Sequence, residues 1–202
     1  MSIPEERGLE RLILFSDAVV AIAITLLILP LTELEPREGQ GVLPFLSEYR
    51  EQLLAFAVSF AVIARFWFAH NRIFGRLARH NQGLRTLNTS WLASVVVMPF
   101  TTALMHFDDG FATLYLVNLL ATAALTFGLS AYLNTHPDLL LTAPTEAEVR
   151  STRWSSWLLL GGIAVALVAS IFLDQNGLWF LLLIPVGQAL VNRREPQDAA
   201  VH

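Results

Sequence analysis

The apolar residues of this chain come in long blocks. One runs from about Gly8 to Leu31, ending near Pro30, and another from about Leu53 to Phe74. A third covers about Thr86 to Met105 and carries Pro99, and a fourth about Phe111 to Leu133. A fifth spans about Trp154 to Leu173, and a shorter sixth, holding Pro185, about Leu178 to Val191. Most approach or exceed the ~18 residues a helix needs to cross a hydrocarbon core about 30 Å thick. The breaks are polar: Thr32 to Ser47, rich in Glu, Pro and Gly; a basic loop with Arg76, Arg79 and Arg85; the turn from His106 to Gly110; and Asp174 to Gly177. Asn134 to Arg153, with Pro137 and Pro144, leaves room for a short surface helix. The pattern predicts an all-α integral membrane protein, with six transmembrane helices in a single domain over 1–194. A polar tail at 195–202 is expected to be disordered.

Composition agrees with this picture. The chain of 202 residues is 54% hydrophobic and 15% charged, against roughly a quarter charged in soluble domains. Charge placement adds orientation. All 13 basic residues are Arg. With six spans, one side collects Arg7, Arg11, Arg72, Arg76, Arg79, Arg85, Arg150, Arg153, Arg193 and Arg194. The other holds Arg37 and Arg50 beside Glu33, Glu35, Glu38, Asp108, Asp109 and Asp174. The positive-inside rule puts both termini in the cytoplasm of a multi-pass protein. The first block is too long for a typical signal-peptide core and reads as a retained helix. Trp91, Trp154, Trp157 and Trp179 lie near predicted span ends, where interfacial aromatics gather. The absence of Cys removes disulfides and thiolate chemistry. No His pair at metal-ligand spacing accompanies His70. The chain is therefore read as no enzyme, with no metal, no cofactor and no nucleic-acid partner.

The first span carries the most informative chemistry. At about 100° per residue, Phe15, Ile22 and Leu29 form one stripe, flanked by Val19 and Leu26 on one side and Ala18 and Thr25 on the other. Ser16 and Asp17 fall more than ~100° away from Ile22. Asp17 lies about 9 Å along the helix from Arg11, past the cytoplasmic interface. An unpaired carboxylate there costs on the order of 2.5–3.5 kcal/mol, so partners are expected from other helices. At similar depth the second span offers Arg65, Trp67, His70, Asn71 and Arg72, and the third Asn88 and Ser90. Such a polar cluster serves helix packing, or gating and proton sensing. The apolar stripe serves packing or lipid contact. A proton- or cation-coupled secondary transporter using Asp17 and His70 is the alternative to a channel.

The motif Arg11-x-x-x-Phe15-Ser16-Asp17, opening an Ala/Ile/Thr/Leu-rich span, resembles the signature of bacterial relatives of the endosomal and lysosomal potassium channel transmembrane protein 175. Phe66-Trp67-Phe68-Ala69-His70-Asn71 and Asn88…Trp91…Pro99-Phe100-Thr101 are similar to that family as well. The resemblance implies a potassium-permeable channel in a bacterial inner membrane. It implies a homotetramer of six-span subunits without a Thr-Val-Gly-Tyr-Gly filter, and monovalent cations as the permeant species. It places the first helix of each subunit on the pore axis. The constriction then falls on Ile22, with Thr25, Leu26 and Leu29 as further pore positions. Arg11, Ser16, Asp17, Trp67 and His70, with Phe15 and Asn71 of the motifs, are expected to hold the pore helix in place.

Overall fold

The computed structural model describes residues 3–105 and 109–142, with the isolated positions 145, 149, 150 and 161. The expected fifth and sixth spans and the tail lie outside the described residues. Within them the chain is all helical: α1 (Ile3–Leu26), α2 (Leu29–Thr32), α3 (Val42–Glu48), α4 (Arg50–Phe74), α5 (Gln82–Leu104) and α6 (Asp109–Thr135), then a 3₁₀ turn at Pro137–Leu139. Four helical stretches are long and apolar enough to cross a membrane: Arg7–Thr32, Arg50–Phe74, Gln82–Leu104 and Phe111–Thr135.

The first span differs from expectation at its C-terminal end. The helix stops at Leu26 and resumes at Leu29 as α2, rather than running on to Leu31. Pro30 explains the break, because a helical proline has no N–H and its ring collides with the carbonyl four residues earlier, here that of Leu26. The chain tightens into the gap: Leu27 N–H donates to the Ile24 carbonyl and Ile28 N–H to that of Thr25, both at 3.3 Å. The polar loop that follows is also more ordered than its composition suggests. It contains α3, and an Arg37–Glu48 ion pair, with Gln40 donating to Glu48 at 2.8 Å, closes the loop on that helix. The third span begins earlier than Thr86. Asn81 caps α5, its side-chain oxygen accepting from Leu84 N–H at 2.9 Å, as N-cap residues do.

α5 is the central element. It packs along α6 on one side and α1 on another, and α4 closes against all three. Val20 and Ala23 of α1 and Leu27 just after it meet Ile63 and Phe66 of α4, Trp91, Val95 and Met98 of α5, and Leu116, Leu119 and Ala123 of α6 in one buried cluster. Lipid is as apolar as these side chains, so close packing and interhelical hydrogen bonds hold such helices together. Buried hydroxyls supply the bonds. Thr102 reaches Ser59 at 2.9 Å, Ser59 lies 3.3 Å from the Tyr115 hydroxyl, and Thr122 meets Ser94 at 3.0 Å.

At the end of the bundle where α4 stops and α5 starts, their connection pairs with the segment after α6. Leu77 and Leu140 form an antiparallel bridge, with Ala78 N–H on the Leu139 carbonyl and Leu141 N–H on that of Arg76, each at 2.8 Å. Both connections thus lie at one end of the bundle, as an alternating series of spans requires. Tyr132 adds a clamp there, its hydroxyl donating to the Asn81 side chain at 3.1 Å. It fits because Gly83 has no side chain: a Cβ there would come within 2.8 Å of Tyr132 Cζ. Gly83→Ala should therefore destabilise the purified protein by about 1–3 kcal/mol, the cost of overpacking, read as a lower Tm in detergent. The loss should shrink in a Tyr132→Ala background, and an equal loss in both backgrounds would refute the clamp.

Candidate pore face and its anchoring network

The two faces of α1 have different fates. Leu9, Ser16, Val20, Ala23 and Leu27 turn inward and are buried. The opposite face, Phe15, Ala18, Ile22, Thr25, Leu26 and Leu29, is exposed, with Ile22 at 59% and Leu29 at 52%. Of the apolar window of this span 22% is buried, against 44% for α5. The first helix is thus held along one edge. On its bare face, the Thr25 hydroxyl donates to the Ile22 carbonyl at 2.8 Å. Its single proton is then committed, and Oγ1 has only lone pairs to offer.

The inward face is fixed by a line of polar groups. Ser16 donates to the Leu12 carbonyl at 2.8 Å, so its oxygen accepts from Asn88 Nδ2, also at 2.8 Å. That orientation turns Asn88 Oδ1 toward His70 Nε2, 2.7 Å away. An amide oxygen cannot donate, so His70 donates through Nε2. The imidazole is held flat between Phe74 and Trp91, with ring centroids 4.0 and 4.2 Å distant. Asp17 lies beside this line, its carboxylate accepting from the Trp67 indole N–H at 2.8 Å. Three helices, α1, α4 and α5, are tied together through these contacts.

Of the residues singled out from sequence, Ser16, Asp17, Trp67 and His70 come together here. Arg11, Phe15 and Asn71 stand outside, each exposed. Arg65 and Arg72 are likewise on the surface, and Asp17 takes its bond from a neutral indole. Ser90 turns back to the Thr86 carbonyl at 3.1 Å. Asn88 is the joint of the network, which depth along the span could suggest but periodicity could not assign. The interfacial reading of Trp91 is corrected: the residue is fully buried, stacked on His70, and bonds to Thr126 Oγ1 at 2.9 Å. Its place near a predicted span end came from starting α5 at Thr86 rather than Gln82. Asn88→Leu removes both bonds while keeping the branched shape and the number of heavy atoms. It should cost about 1–3 kcal/mol for each buried partner left unsatisfied, seen as a lowered Tm. An unchanged Tm would show that the line contributes nothing to α1 anchoring.

A family model described as "Endosomal/lysosomal potassium channel TMEM175" matches residues 11–99, from the first motif through α4 to Pro99 of α5. A potassium channel of Chamaesiphon minutus is 38% identical over 104 residues, covering 50% of this chain and 51% of that protein. The endosomal/lysosomal proton channel TMEM175 of Mus musculus is 37% identical over 98 residues, 45% of this chain and 20% of that protein. The matched part of the chain thus spans about half the length of the bacterial relative and about a fifth of the mouse protein. The crystal structure of a lysosomal potassium-selective channel TMEM175 homolog from Chamaesiphon minutus shares the fold with a TM-score of 0.71 at 26% identity. That likeness covers 92% of this chain and 98% of that one. The motif on α1, its partners on α4 and α5 and the shared arrangement of helices agree with this likeness: over residues 11–99 the chain is similar to the TMEM175 family, and its helices are arranged as in a solved homolog of that family.

Proposed function

We propose that the chain is the subunit of a potassium-permeable cation channel, a homotetramer of six-span subunits in a bacterial inner membrane, with ions passing along the exposed faces of four first helices. The observation that carries this reading is the bare face of α1, with Ile22, Thr25, Leu26 and Leu29 on one stripe opposite the anchored Ser16. The anchored polar back fixes which side of α1 faces outward, and that side carries a hydroxyl with outward lone pairs. A helix shared around an axis uses both. The names of relatives, potassium channel and proton channel, point to cation transport.

Four Ile22 side chains form the constriction. An apolar ring of this kind stops ions by dewetting, and a modest widening or rotation opens it. One turn outward, four Thr25 oxygens replace part of an ion's hydration shell. Four hydroxyls are a weaker ligand set than stacked carbonyl rings, so the preference for potassium over sodium is modest. Glu33 and Glu35, exposed beyond the outer end of α1, raise the local cation concentration at the mouth.

In proteoliposomes the wild type should pass potassium, and Ile22→Asn should raise the basal flux about tenfold or more, the factor given by a barrier lower by ~1.4 kcal/mol. Absence of flux from both, with tetramers intact, would contradict a channel. Flux that saturates like a carrier and requires Asp17 would favour coupled transport instead. Orientation is tested separately. With both termini cytoplasmic, an alkaline phosphatase reporter should be active when fused after Glu38 and silent after Arg79. The reverse pattern would overturn the assigned topology.

A further inference from the structure

Among the described residues, the break between α1 and α2 leaves carbonyl oxygens just beyond Thr25 without a hydrogen-bond donor. Pro30 has no N–H to give to the Leu26 carbonyl. Leu27 and Ile28 use their N–H groups on Ile24 and Thr25, and Leu31 and Thr32 use theirs on Ile28. Among the described residues, no donor reaches the carbonyl oxygen of Leu26 or of Leu27. An ordinary helix end leaves such carbonyls to water, capping side chains or a tightened last turn. Here the tightened turn satisfies Ile24 and Thr25 and passes over Leu26. Leu26 belongs to the exposed stripe with Ile22, Thr25 and Leu29. Its neighbour Thr25 has already spent its hydroxyl proton on Ile22. Two consecutive residues on the bare face therefore offer oxygens that can only accept.

We infer that Pro30 creates a cation-binding layer from the Leu26 carbonyl oxygens, one step outward of the Thr25 hydroxyls and above the Ile22 constriction. The inference rests on the reading of α1 as the pore helix. Its ligand is a dehydrating monovalent cation of potassium size. Carbonyl oxygens are the groups that best replace the hydration shell of such an ion, and the end of α1 adds the negative partial charge of a helix C-terminus. A lone hydroxyl ring would sort cations poorly. A second oxygen layer beside it gives an ion arriving from outside ligands before it meets the apolar ring. Pro30 thereby acts as a positioning residue: it touches no ion and sets the state of the carbonyl that does.

The test is cation flux through reconstituted full-length protein, measured against potassium concentration and as a potassium-to-sodium ratio. Pro30→Ala restores the N–H that caps the Leu26 carbonyl. It should raise the half-saturating potassium concentration roughly three- to tenfold, the change expected from losing a contribution of hydrogen-bond size, and move the ratio toward unity while flux persists. A backbone ester in place of the Leu26–Leu27 amide weakens the same carbonyl without touching a side chain or Pro30. It should shift both readouts in the same direction, and it decides the matter if Pro30→Ala fails to assemble. Flux with unchanged concentration dependence and ratio in the ester protein, or in an assembled Pro30→Ala, overturns the inference and leaves the channel intact. Absence of cation flux from the wild type overturns the pore reading itself.

Discussion

The hydrogen-bonded line from the Leu12 carbonyl through Ser16 and Asn88 to His70 decides which side of the first helix packs against α4 and α5. Leaving a buried polar group unmatched costs about 1–3 kcal/mol, and a rotation of α1 by a third of a turn would strand several at once. The bonds thus act as a rotational key. With Ser16 turned inward and Asp17 on the Trp67 indole, the stripe holding Ile22, Thr25 and Leu29 has to face away. The chemistry of the bare face is therefore a consequence of the chemistry of the other.

α5 is what makes the key rigid. Trp91 of α5 stacks on the imidazole and is itself bonded to Thr126 of α6, so the anchoring of α1 is tied into the most closely packed helix pair. The Leu77–Leu140 bridge and the Tyr132 clamp hold the same pair at the end where α5 starts and α6 stops. Small residues and hydroxyls supply this cohesion because lipid gives apolar side chains little reason to leave it.

The spans were legible in the sequence because apolar length is nearly a sufficient condition for a membrane helix. The four described ones differ from expectation mainly at their ends. Those ends depend on caps and breaks: Asn81 starts α5 four residues early, and Pro30 acts four residues before itself, on Leu26. Helix α3 was hidden by a polar composition that its ion pair with Arg37 turns to use. The polar back of α1 could be read from Ser16 and Asp17, and its depth pointed to Trp67, His70 and Asn88. Which of these meet depends on helix rotation, which periodicity in a nearly uniform apolar stretch does not encode. For the same reason the motif alone does not separate Arg11 and Asn71, which are exposed, from Ser16 and His70, which are buried.

Because the chain contains no cysteine, single cysteines can test directly whether the bare face of α1 lines an aqueous ion path. Cysteines placed at Ile22, Thr25 and Leu29 should react with a charged, membrane-impermeant thiol reagent in the assembled protein, and the reaction should block cation flux. Cysteines at the buried Val20 and Leu27 should remain unmodified. Reaction at neither set, or modification at Ile22, Thr25 and Leu29 that leaves flux untouched, would contradict a pore along this face.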